Sequence, residues 1–148
     1  MKEKTSPIGL ASDHAGFQMK EHIKQYLKSK GYSVTDYGTH SEESCDYPDF
    51  AHALAKGIEQ GEVENGIAVC GSGEGISIAL NKHQQIRAAL VWAPEIAKLA
   101  RQHNNANVLS LPGRFISEET AEACVDNFIQ TDFEGGRHEA RVKKIPVS

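Results

Sequence analysis

Short apolar runs alternate with amphipathic stretches along this chain, and the alternation predicts its elements. Ile8-Gly9-Leu10-Ala11 reads as a first strand. Residues 16–30 follow as a helix, with Met19, Ile23, Tyr26 and Leu27 at i, i+4, i+7, i+8 spacing and Gly31 as its stop. A second strand covers 33–37, and a polar loop runs to Asp46. Pro48 opens a second helix that buries Phe50, Leu54 and Ile58 and ends at Gly61. Gly66-Ile67-Ala68-Val69-Cys70 is a continuous apolar run, the signature of a buried strand, and it empties into the glycine loop Gly71-Ser72-Gly73-Glu74-Gly75. A short helix over 76–82, a strand over 87–91, a helix over 94–102 with Ile96, Leu99 and Ala100 inward, and a strand over 108–111 come next. Ser117 is placed to cap a last helix whose first turn holds Glu118 and Glu119 and whose inward face is Ala121, Cys124, Val125, Phe128 and Ile129.

Strands alternating with helices call for a parallel sheet covered on both faces, a three-layer α/β/α Rossmann-like domain of five strands with a C-terminal helical tail. The 148 residues suit a single domain over 1–148, and at that length roughly two thirds of the unfolded surface can be buried. A net charge of −4 argues against nucleic acid as a partner, since phosphate backbones need a basic surface. No run of about 18 apolar residues exists to span a membrane. The segment from Met1 to Pro7 has no apolar stretch of the signal-peptide kind. The cysteines, Cys45, Cys70 and Cys124, are odd in number and make no CxxC pair, so neither a disulfide framework nor a zinc site is expected. Free thiols fit a reducing compartment, and the expectation is cytoplasm.

In such folds ligands bind beyond the C-terminal ends of the strands. After the first strand stands Ser12-Asp13-His14-Ala15-Gly16, an acid and an imidazole before a helix N-terminus; Asp13 reads equally as a cap. After the third stands Cys70, a small hydrophobe ending a core strand or a thiol activated beside a helix N-terminus. The glycine loop can aim N–H groups at one point, although it is neither a dinucleotide fingerprint, since Ile76 occupies the last glycine position, nor a P-loop. His103-Asn104-Asn105-Ala106-Asn107 is a helix end and turn, or an acid/base site. Arg114 follows the fifth strand. In the tail, Arg137 and Arg141 share one helical face, suited to a phosphate or simply solvated. Cys45 and Cys124 are expected to be structural, and His22, His40, His52 and His83 to be surface groups. Trp92 either lines the site or packs.

Taken in order, Ser12-Asp13-His14-Ala15-Gly16, Asp46-Tyr47-Pro48, Cys70 through Gly75 with Asn81-Lys82, His103 through Leu109, and Gly135-Gly136-Arg137-His138 with Arg141-Val142 resemble the type B ribose-5-phosphate isomerases, the family that also holds galactose-6-phosphate isomerase subunits. The resemblance implies a homodimer or dimer of dimers, no metal, no cofactor, and interconversion of ribose 5-phosphate and ribulose 5-phosphate. It places Cys70 at the base position and His103 at the ring-opening position. Gly71, Ser72, Gly73, Glu74, Gly75 and Asn104 fall on positions that hold the enediolate oxygens. Asp13 and His14 fall on contacts to the sugar, and Arg114, Arg137 and Arg141 on phosphate contacts, with the tail arginines serving a neighbour's pocket. Ser72 stands where many relatives have threonine, and Glu74 where an aliphatic is common, so Glu74 is expected to point outward. Ile76 replaces the glutamate base of another branch. Two rival readings stand beside this one: an isomerase of a hexose 6-phosphate such as allose or galactose 6-phosphate, and a non-catalytic sugar-phosphate-binding domain.

Overall fold

The computed structural model describes residues 6–147. Five parallel strands form one sheet: β1 (Ile8–Ser12), β2 (Val34–Asp36), β3 (Asn65–Cys70), β4 (Ala88–Leu90) and β5 (Val108–Pro112), in the order β2-β1-β3-β5-β4. Between and after them come α1 (Phe17–Ser29), α2 (Tyr47–Glu59), α3 (Glu74–Leu80), α4 (Pro94–Asn104), α5 (Glu118–Gln130) and α6 (Arg137–Lys143). The expected three-layer architecture and C-terminal helix are both present. The segment 1–5, part of the N-terminal stretch read above, lies outside the described residues.

The period-2 alternation of the strands divides the core into two unlike halves. Ile8, Leu10, Ile67, Val69, Leu109 and Leu111 point to the face covered by α1, α4 and α5. The alternate positions carry small residues: Ala11, Ala68 and Cys70 pack under α2 and α3. Gly9 and Gly66 lie on that same side, and a Cβ at either would stand 2.5 Å or 2.7 Å from Leu54 Cδ1. The small face therefore lets α2 approach the sheet closely, with Leu54 seated where side chains would otherwise be.

Element ends differ from the sequence expectation at a few points. α3 starts at Glu74 rather than at residue 76, because Gly73 adopts φ +78° and turns the chain into the helix two residues earlier. In α4 the buried positions are Ala97 and Ala100, Ile96 is partly covered, and Leu99 is exposed. The inward assignment of Leu99 is thus corrected: α4 packs along α5 on its alanine stripe, and Leu99 falls outside that contact. Ser117 does cap α5, its Oγ accepting the Thr120 N–H at 3.0 Å.

One buried ion pair ties the first helix to the sheet. Lys20 is fully buried, and its Nζ lies 2.6 and 2.8 Å from the two oxygens of Asp36, at the end of β2. Lys24 Nζ adds a contact at 3.0 Å, and the Gly38 N–H donates to Asp36 Oδ1 at 2.9 Å. Burial alone would raise the Asp36 pKa, but these donors outweigh it and hold the carboxyl below its ordinary 3.8. The contribution of Asp36 to stability is therefore complete above pH 3.8 and is lost as pH falls through the lower folded value. Asp36→Asn leaves the buried ammonium with only the part-exposed Glu21 carboxylate at 3.1 Å as counter-charge, and urea unfolding at neutral pH should show a loss of about 1–3 kcal/mol. A loss below 1 kcal/mol would mean that Lys20 finds another partner.

Candidate active site

β1 and β3 are neighbours, yet the chain leaves them for opposite sides of the sheet, β1 toward β2 and β3 toward β4 and β5. Their connections diverge and open a crevice at the C-terminal edge. Asp13 is buried there, and its Oδ1 accepts the Gly16 N–H at 3.0 Å, so it holds the turn ahead of α1 rather than capping the helix. His14 Nδ1 accepts the Cys45 N–H at 3.2 Å. A neutral ring so bound carries its proton on Nε2, which remains available as a donor. Cys45 Sγ lies 3.9 Å from the same nitrogen, so this thiol, expected to be merely structural, stands beside the site. Cys124 is structural as expected: it lies fully buried on the inward face of α5, where burial pushes its thiol to about 11.

Cys70 ends β3 and is 5% exposed. Its carbonyl accepts the Gly113 N–H at 2.9 Å, and the Gly71 carbonyl accepts the Arg114 N–H at 3.0 Å, which laces the loops after β3 and β5 together. The Arg114 side chain lies across Gly71, where an added Cβ would meet Cδ at 3.4 Å and Nη1 at 3.5 Å. Ser72 Oγ accepts the Glu74 N–H at 3.2 Å, and Ser77 Oγ donates to the Gly73 carbonyl at 2.7 Å, bracing the glycine loop from both sides. Glu74 is exposed in the first turn of α3. The Tyr47 ring covers Gly75, leaving 2.8 Å for an added Cβ. Beside this loop a cavity of about 620 Å³ is lined by His14, Met19, Glu42, Gly113, Arg114 and Ser117, among others. A thiol, a set of backbone N–H groups, an imidazole and a guanidinium thus share one edge. That combination suits a small anionic substrate that must lose a proton and hold charge on oxygen.

The other candidates lie elsewhere. His103 and Asn104 close α4, and three residues on, the Asn107 carbonyl accepts the Gly66 N–H at 3.0 Å. Gly66 stands four residues before Cys70 on β3, about 13 Å down the strand. His103 therefore sits at the opposite edge of the sheet from Cys70. The expectation that the chemistry follows the strands holds for Asp13, His14, Cys70, Gly71 to Gly75 and Arg114, and fails for these two. The tail joins them: the His103 and His138 rings stack at 4.4 Å, and Arg137 and Arg141 are exposed on the helix that carries His138. Burial lowers the His138 pKa, as do the charges of His103, Arg137 and Arg141, while Glu134 works the other way. Asn104 lines a separate cavity of about 340 Å³ with Asn81, Arg87 and Ala89.

Tyr47 and His138 stood inside recognised motifs without a role; their contacts to Gly75 and His103 give them one. Three histidines taken as plain surface groups have partners. His22 Nε2 lies 2.7 Å from Glu122, His52 Nδ1 lies 2.8 Å from His83 Nε2, and His83 Nδ1 lies 3.1 Å from Glu59. Each pair joins residues at least 24 apart in the chain, which no local pattern reveals. Trp92 is exposed at 57% and does not pack into the core.

Comparison with known proteins bears on this arrangement. Residues 8–145 match the model of the Ribose/Galactose Isomerase family. Ribose-5-phosphate isomerase B of Escherichia coli is 44% identical over 138 residues, covering 93% of each chain. The crystal structure of a ribose 5-phosphate isomerase from Thermotoga maritima superposes with a TM-score of 0.95 at 52% identity, over 97% of this chain and 99% of that one. Ribose-5-phosphate isomerase B from Mycoplasma genitalium, solved with bound ribulose-5-phosphate, superposes with a TM-score of 0.89 at 42% identity, over 94% of this chain and 93% of that one. The order of motifs and the parallel sheet are thus those of one family, and this chain belongs to the ribose/galactose isomerases.

Proposed function

We propose that this isomerase interconverts ribose 5-phosphate and ribulose 5-phosphate, and that each working site is assembled from two copies of the chain. The observation that carries the reading is that Cys70, the glycine loop after it and Arg114, whose side chain lies across Gly71, stand together at the C-terminal edge of the sheet. The E. coli and M. genitalium relatives support the choice of a pentose phosphate. The crevice's own imidazole, His14, is turned toward Cys45, and His103, to which the resemblance gives ring opening, lies at the opposite edge of its own chain. A second copy that brings its α4 end and α6 to this crevice supplies His103, Asn104, Arg137 and Arg141 together.

In that assembly His103 takes the proton of the anomeric hydroxyl and returns one to the ring oxygen, giving the open aldehyde. Cys70, as thiolate, removes the proton from C2. The C–H electrons become the C1=C2 double bond, and the former carbonyl oxygen takes the negative charge. The loop amides and the Asn104 side chain donate to the cis-enediolate oxygens. The O2 proton passes to O1, the Cys70 thiol returns its proton to C1, and the carbonyl re-forms at C2. His14 through Nε2–H, with Arg114, Arg137 and Arg141, grips the phosphate and fixes the carbons against the thiol. The balance closes with no redox cofactor.

Purified protein with a chelator present should turn over ribose 5-phosphate faster than allose 6-phosphate or galactose 6-phosphate; preference for a hexose would move the substrate and keep the chemistry. Cys70→Ala should fold and lose kcat by about 10²–10⁴-fold, the span of a general base. Mixing Cys70→Ala with His103→Ala chains, each inactive alone, should restore roughly a quarter of wild-type turnover, because half of the random dimers hold one intact site of two. No recovery on mixing would refute the shared site. Arg137→Ala combined with Arg141→Ala should raise KM tenfold or more, since each charge-assisted contact contributes roughly 1.5–3 kcal/mol.

A further inference from the structure

His103, Glu134 and His138 bring one ligand atom each within 4.8 Å of one another, the one such group of three among the described residues. We propose that this group is a site for a borderline transition-metal ion such as Zn²⁺, and that the ion silences the enzyme when bound. The donor set is two imidazoles and a carboxylate with a fourth position open, which is a zinc ligand set.

Three observations support the assignment. His138 is 6% exposed and its Nε2 has no hydrogen-bond partner, while it points toward Glu134 Oε1 at 3.5 Å. The three ligands come from fixed positions: His103 on the last turn of α4, Glu134 in the segment ahead of α6, and His138 on α6. The Glu134 N–H donates to the Gln102 carbonyl at 3.1 Å and the His138 N–H to the Gly135 carbonyl at 3.0 Å, so the tail is registered against α4 by its backbone. Tetrahedral ligation needs the donor atoms about 3.4 Å apart, a contraction within the reach of side-chain rotation. Arg137 and Arg141 oppose a dication, and the Glu134 carboxylate offsets them. Because Glu134 is exposed, the ion can reach the site in the single chain.

Loss of activity on metal binding rests on the ring-opening role proposed for His103, since a ligated imidazole nitrogen cannot move protons. The site itself does not depend on that role, and the test separates the two. Titration of the intact protein with Zn²⁺ in a calorimeter should show one ion per chain, and Co²⁺ should give the visible absorption of a tetrahedral site. Glu134→Gln should weaken binding at least about tenfold and leave metal-free turnover unchanged. His138→Gln should weaken it further. Zn²⁺ should inhibit turnover with the same half-saturation as binding, reversibly on chelation. Absent binding, or binding that ignores both substitutions, would overturn the metal site. Binding at the site with turnover unaffected would leave the site standing and remove His103 from the ring-opening step.

Discussion

A parallel sheet sorts a chain by direction. Every strand runs the same way, so each β-to-α turn lies at one edge and each α-to-β return at the other. Here that constraint sends Asp13, His14, Cys70 and Arg114 to one edge, and His103, Asn104 and the tail to the opposite one. No adjustment of rotamers closes a gap of several strand residues. Under the proposed function the fold therefore demands a second copy, and a two-fold arrangement satisfies it economically: the contact that brings one chain's α4 end to its partner's crevice does the reverse as well, making two sites from one interface. The chain's rivals read differently against this geometry. A binding module has no use for a thiol at the end of β3, whereas under the proposed function an isomerase uses one as its base.

The same sheet sets how closely its parts approach. Cys70 belongs to the small-residue face, with Ala11, Ala68, Gly9 and Gly66 as neighbours in the alternation. Small residues let α2 sit low on the sheet, and Tyr47, the first residue of α2, is thereby brought against Gly75. The bulky strand residues lie on the opposite face, so the Cys70 face of the sheet is left to small side chains. The Lys20–Asp36 pair fixes α1, and α1 begins at the turn that Asp13 holds. Stability and site geometry are coupled along that one helix.

Much of this was legible in the residues. Continuous apolar runs marked β3 and β5, helical spacing marked α1 and α5, and Ser117 announced its cap. A strand that empties into glycines marked the turn after Cys70, while the residue itself read equally as a small core side chain or an activated thiol until the family's motifs were set beside it. What escaped was long-range. Leu99 satisfies helical periodicity but falls outside the α4–α5 contact, which depends on where two helices cross. His52 and His83 meet across 31 residues, and neither position carries a local signal of the other. His103 was found through its motif, but its placement opposite Cys70 follows only once strand direction is set beside helix direction.

The stacked imidazoles show how one arrangement serves two chemistries. The two rings stack at 4.4 Å, and burial with the nearby charges lowers the His138 pKa. In the proposed mechanism a neutral His138 beside His103 leaves proton exchange to one ring of the pair, while packing against it fixes the orientation of His103. A fixed, neutral, partly desolvated imidazole next to a carboxylate is also what a transition metal selects. Under the proposed function and metal site, the geometry that would prepare His103 to move a proton would also open it to capture, with Glu134, exposed and outside the proposed reaction, as the third ligand.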